Sequence, residues 1–276
     1  MGKISSERGF TLLEVLIVTA LLATVLILSL EFFQQSQKVY LRYWNDAELV
    51  QNARIALEAI SYDLRILGYH LDHQEGQPAW IEAAPFQAIF NTDRRSDVPA
   101  LASGGSVRLS DGSKYINSKN YLTGAETLRW TLDSTDNGII DKNDLGDDDE
   151  ERATRFNDND FVLIQEVNGS VDQQVALHVL GPVDAQNHRT YAVPLFQYWI
   201  LSSEGSLTLW GDADGNGLLE GDERYFAPLT SQDTLKKIRQ VTVTIQVESD
   251  ALDPLRNPPD HQRITLSSQV ALRNKF

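Results

Sequence analysis

Residues 10–67 contain neither glycine nor proline. These are the two residues that most readily end a helix, so no other feature limits the fold as strongly. Within that stretch the texture changes once. From 10 to 30 the run is apolar, interrupted only by Thr11, Glu14, Thr19, Thr24 and Ser29. Beyond it, Tyr43, Ala47, Val50, Leu57, Ile60, Leu64 and Leu67 recur at helical steps, with Arg54 falling close to the stripe and interrupting it. Gly68 stands where a C-terminal cap belongs. The pattern predicts one helix of up to about 87 Å at about 1.5 Å per residue. Its first half is apolar all round and, at about 31 Å, matches a hydrocarbon core of about 30 Å. Its second half is amphipathic and needs a body to pack against. Lys3 and Arg8 favour a cytoplasmic N-terminus, which sends the rest of the chain outside.

A secretory signal of the usual kind carries a small-residue cleavage site after its apolar region. Here that region ends in "LSLEFFQQSQ", with no such site. The unusual junction lies before it, in "RGFTLLEVLIV". Gly9, Phe10, Thr11, Leu12, Glu14 and the apolar run resemble the processing segment of type IV prepilins and type II secretion pseudopilins. The resemblance implies that a prepilin peptidase cuts after Gly9, that Phe10 becomes an N-methylated terminus, and that the apolar segment stays on the mature protein. It also implies a partner for Glu14, since the corresponding glutamate of the family meets the terminal amine of a neighbouring subunit. The physics agrees: a carboxylate in an apolar bundle is costly, and an opposite charge relieves the cost. "YDLRILGYH" and "RITLSSQVALRN" resemble PilW-type minor pilins more specifically, and their relatives the J-type pseudopilins. The implied protein sits in the bacterial inner membrane with its head in the periplasm. It joins a type IV pilus, at the tip or in a priming complex, with other minor pilins and the major pilin. The alternatives are a minor pseudopilin of type II secretion and, more distantly, a membrane-anchored calcium-dependent adhesin.

After Gly68, short apolar runs alternate with turns. Strands are expected at 106–109, 127–132, 161–166, 175–179, 196–202, 206–210, 241–247 and 264–272, and "VTVTIQV" alternates most cleanly. The expected class is α+β, with antiparallel strands packed on the long helix. The expected organisation is a cleaved leader at 1–9, a transmembrane or filament-core half-helix at 10–30, an amphipathic half-helix at 31–68 and a β-rich head at 69–276.

Two acidic loops interrupt the head. "DADGNGLLEGDE", residues 212–223, has the twelve-residue spacing of an EF-hand calcium loop. Asp212, Asp214 and Asn216 fill the first, third and fifth positions, and Gly217 the sharp turn. Leu218 offers its carbonyl, Leu219 is the apolar anchor, Glu220 acts through water, and Glu223 chelates with both oxygens. The flanks read as strand and loop, so no helix–loop–helix sensor is implied. "DSTDNGIIDKND", residues 133–144, fits the same template with Asp133, Thr135, Asn137, Gly138, Ile139, Asp141 and Asp144. Thr135 stands where Asp or Asn is usual, and Asp144 replaces the long terminal Glu, as in dockerin-type loops. Calcium is the expected ligand of the first loop and an open question for the second. Outside the cell even sites of about 10⁻⁴–10⁻³ M fill.

Composition removes other classes. With 39 acidic and 24 basic residues the net charge is −15. Phosphate binding needs a basic face, so no nucleic acid partner is expected. There is no cysteine, which excludes disulfides and thiolate chemistry. No nucleophile elbow, zinc-protease helix or P-loop pattern is present, and an enzyme is not expected.

Overall fold

A computed structural model describes residues 11–71, 76–94, 106–116, 125–145, 160–184, 186–190, 192–253, 255–256 and 260–273. The expected leader and the Gly9–Phe10 junction lie outside the described residues. One helix, α1, runs unbroken from Leu12 to Ile66. Thr11 caps it: the threonine side chain accepts from the Glu14 amide at 3.3 Å, and Glu14 Oε2 accepts from the Thr11 amide at 2.8 Å. At the far end Gly68 adopts φ +74°, a conformation that costs glycine nothing. Its amide donates to the Asn91 carbonyl at 2.9 Å, and the Thr92 hydroxyl donates to the Ile66 carbonyl at 2.6 Å, which sews the helix end to the head.

The head contains β1 (Trp80–Ala83), β2 (Gln87–Thr92), β3 (Ser106–Arg108), β4 (Lys114–Ile116), β5 (Glu126–Thr131), β6 (Asp160–Val167), β7 (Ser170–Leu180), β8 (Phe196–Leu201), β9 (Leu207–Leu209), a one-turn helix α2 (Gln232–Leu235), β10 (Ile238–Leu252) and β11 (His261–Ala271). The main sheet is antiparallel in the order β1-β2-β5-β6-β7-β10-β8-β9, with β11 on the other edge of β10. β10 is the spine. Its first half pairs with β8 and its second half meets β7 at Val247–Val179, while β11 follows its opposite edge. α1 packs across β10, β11 and β7. β3 and β4 form a separate ribbon.

These elements confirm the α+β layout: a long apolar helix set on an antiparallel head. The membrane-length half of α1 is exposed on every side, from Leu12 to Phe33. The packed face of the second half is Leu49, Ala53, Ala56, Ile60 and Leu64. Of the expected stripe, Ile60, Leu64 and Leu67 are buried, whereas Tyr43 is 69% exposed and Ala47 is exposed too. Ala53 and Ala56 lie inward because small side chains let the helix backbone approach the sheet, and Arg54 falls outside the packed face. Asp63 also lies on the packed face, 1% exposed. It accepts from the Trp130 indole at 3.1 Å and from the Gln165 amide, and Arg94 stands 3.8 Å away. Burial raises its pKa to about 6, against the pull of Arg94.

Candidate metal centre and assembly segment

The 212–223 loop leaves the end of β9 and closes on a 3₁₀ turn, Gly221–Tyr225. Asp212 organises it, accepting from the Gly215 amide at 2.7 Å and the Gly217 amide at 2.8 Å. Gly215 and Gly217 both have positive φ, so this tight path suits glycine. Asn216 Oδ1 accepts from Leu218 N at 2.7 Å. The Glu223 carboxylate folds back over the loop, accepting from Ala213 N at 2.9 Å and Glu220 N at 3.2 Å. Asp212, Asp214 and Glu223 each bring a carboxylate oxygen within 4.8 Å of the others. Asn216 joins them through Asp214, at 3.0 Å, whereas Glu220 is exposed and outside that cluster. Desolvation opposes ionisation of Asp212, but the amides of Gly217 and Gly215 outweigh it and hold the carboxyl below its ordinary range. Convergent carboxylate oxygens in a twelve-residue turn are the donor set that a hard divalent cation takes. The buried Leu219 anchors the loop to the core, as its position in the motif predicts.

The 133–144 loop follows β5 and ends in a 3₁₀ turn, Lys142–Asp144. It repeats the same scheme. Asp133 Oδ2 accepts from Gly138 N at 2.7 Å, Asn137 Oδ1 from Ile139 N at 2.6 Å, and Asp144 Oδ2 from Asp141 N at 2.9 Å. Gly138 has φ +90°, and a Cβ there would stand 2.4 Å from the Leu109 carbonyl. Two features differ from the first loop. Asp133 and Asp144 are fully buried, and burial pushes Asp144 up to about 6. Behind Asp133 lies Arg129, also fully buried, which no sequence signal connected with the loop. Arg129 also donates to Glu166 at 2.7 Å, Asp136 at 3.0 Å and Gln87 at 3.0 Å. Burial raises Glu166 to about 7 despite this guanidinium.

The two loops share one end of the head. Asn187 and Arg189 bridge them: Asn187 accepts from Lys142 N at 2.8 Å, and Arg189 pairs with Asp222 at 2.9 Å while lying 4.4 Å from the Tyr225 ring centre. A groove of about 330 Å³ runs between, walled by Ile139, Ile140, Pro182, Tyr225 and Phe226.

At the other end of the molecule, Glu14 serves as the third helical residue of the Thr11 capping box. The T-x-x-E spacing carried that signal. Its carboxylate therefore stays at the helix terminus, held by the Thr11 amide and hydroxyl.

This N-terminal segment matches the model of the prokaryotic N-terminal methylation motif over residues 4–30. With one exposed apolar helix long enough to span a bilayer and a β-rich head on its second half, the motif supports a type IV pilin-like protein. Such a motif implies processing by a prepilin peptidase and assembly with other pilins in a membrane-associated complex. No curated protein and no solved structure matches the chain.

Proposed function

We propose that the chain is a PilW-like minor pilin, a structural and assembly subunit of a type IV pilus tip or priming complex, anchored in the inner membrane with a calcium-stabilised periplasmic head. The observation that carries this reading is the methylation motif opening a single continuous helix, whose first half is wholly exposed and whose second half bears the head. A helix apolar on every side is stable only in lipid or among other apolar helices. It therefore passes between two environments, the bilayer and a helical bundle, without refolding. Glu14 acts only in the second environment, where a neighbouring subunit's Phe10 amine neutralises it. Calcium belongs to the 212–223 loop, held by Asp212, Asp214, Asn216 and Glu223. The ion supplies the positive charge that lets three converging carboxylates stay together.

The test is mass measurement and partner capture from native membranes. The mature chain is expected to begin at Phe10 and to co-purify with minor pilins and a major pilin. A mature chain beginning beyond Leu30 sinks the prepilin reading. Capture of secretion components alone moves the chain to the type II pseudopilins.

A further inference from the structure

The two acidic loops share a hydrogen-bond scheme but solve their charge problem differently. In the 212–223 loop the third position is Asp214, a carboxylate beside the carboxylates of Asp212 and Glu223. Among the described residues, no Lys or Arg pairs with any of these three; the nearby Arg189 is paired with Asp222 instead. In the 133–144 loop the third position is Thr135, and its hydroxyl lies between the end carboxylates, 2.9 Å from Asp144 Oδ1 and 3.3 Å from Asp133 Oδ1. The Thr135 amide adds a donation to Asp144 at 2.9 Å. On the far side of Asp133, the guanidinium of Arg129 binds Oδ2. Asp133 thus accepts from Arg129, Gly138 and Asn137, all within the chain, while the single proton of the Thr135 hydroxyl serves one of the two carboxylates beside it.

We propose that Arg129 and Thr135 are a built-in substitute for calcium in the 133–144 loop, so that of the two equivalent loops only 212–223 depends on the ion. A buried charge needs a partner of opposite sign, and Arg129 supplies it permanently. A hydroxyl at the third position donates where a carboxylate only repels. Calcium dependence of the 212–223 loop belongs to the proposal above, and the role of Arg129 rests on it only for the contrast between the loops.

Hydrogen–deuterium exchange of the full chain in detergent, in calcium and in chelator, reads both loops at once. In the unsubstituted chain, chelation is expected to speed exchange across 212–223 by about tenfold or more and to leave 133–144 within about twofold. Two variants then remove the substitute. Arg129→Gln with Glu166→Gln takes away the guanidinium without stranding Glu166, so that Asp133 is the buried carboxylate left without its counter-charge. Thr135→Asp, at an exposed position, recreates the first loop's repulsion. Both are expected to speed exchange across 133–144 in chelator by about tenfold or more, with calcium restoring protection in Thr135→Asp. If 133–144 opens on chelation in the unsubstituted chain as 212–223 does, or if both variants leave it protected in chelator, the proposal is overturned. If neither loop of the unsubstituted chain responds to chelation, the calcium reading fails, and the variants alone decide whether Arg129 and Thr135 hold the loop.

Discussion

Replacing Asp63 tests how α1 is fastened to the head. Asp63→Ala removes the acceptor used by the Trp130 indole and the Gln165 amide, both of which are buried. Each stranded donor costs about 1–3 kcal/mol, so about 2–6 kcal/mol together. Ionisation works against this. Burial lifts Asp63 from 3.8 to about 6, so the native state binds the proton more tightly than the unfolded chain does. The stabilisation from that proton is complete below 3.8 and is lost as pH rises through about 6. At about 1.4 kcal/mol per pH unit, the loss is about 3 kcal/mol by pH 8, of which about half is already incurred by pH 5, where the unfolded carboxyl is ionised. Asp63→Asn keeps an oxygen acceptor and cannot ionise. It should therefore be more stable than the unsubstituted chain at both pH values, and by about 1.4 kcal/mol more at pH 8 than at pH 5. With about 2–4 °C per kcal/mol for a head of this size, the gap in melting temperature should widen by about 3–6 °C between the two pH values. Asp63→Ala should melt lowest at pH 5 relative to the parent and recover part of its deficit at pH 8. Trp fluorescence melts of the full chain in detergent measure this. Other raised carboxylates, such as Glu166, are common to all three proteins and cancel in the differences. A gap between Asp63→Asn and parent that does not change with pH would refute the reasoning.

Three further outcomes are expected. The full chain should melt higher in calcium than in chelator, by the equivalent of about 2.7 kcal/mol at a hundredfold excess over Kd, and Asp212→Ala with Glu223→Ala should abolish the difference; equal melts of the parent in the two buffers would count against the ion. Glu14→Ala should insert in the membrane normally yet recover fewer pilin partners on affinity capture, whereas unchanged capture would leave the carboxylate with its helix-capping role alone. Gly138→Ala places a Cβ against the Leu109 carbonyl in a backbone conformation with φ +90°, so a loss of about 2–3 kcal/mol should appear in the same melts.

The long helix was legible because nothing in residues 10–67 could break it. The inner strands were legible where one face alternates, as in 241–247, where the observed strand runs on to Leu252. β1 and β2 were not: they are buried on both faces as β6 is, but Glu82, Gln87 and Asn91 break up their apolar positions, whereas Phe161–Ile164 is an uninterrupted apolar run. Ile60, Leu64 and Leu67 lie inward as the amphipathic stripe predicts, but its first members misled. Large aromatics such as Tyr43 attract a hydrophobic reading, while the inward positions are the small Ala53 and Ala56. The turn geometry of the two acidic loops was readable from spacing alone, because a loop that folds around its own carboxylates encodes its geometry locally. Arg129 was not, because its link to Glu166 depends on β5 pairing with β6.

A head without cysteine needs another way to hold its longer connections, and the 212–223 loop shows how an ion could serve. Two side chains tie that loop to the core: Leu219 within it and Phe226 just beyond its closing turn, both buried. Gly211 lets Phe226 approach, since a Cβ on Gly211 would stand 2.6 Å from the Phe226 Cβ. Opening the loop by repulsion among Asp212, Asp214 and Glu223 would pull on both anchors. Their burial is worth about 1.5–3 kcal/mol each, so the loop loses about 3–6 kcal/mol if both are drawn out. The carboxylates therefore need not be neutralised completely for the loop to stay shut; they need only repel by less than the anchors hold. An ion that contributes about 2.7 kcal/mol at a hundredfold excess over Kd tips such a balance. That is the range of a typical disulfide, about 2–4 kcal/mol. The difference lies in control: a disulfide is set once by oxidation, whereas the proposed fastening would follow the calcium concentration wherever the head is exposed.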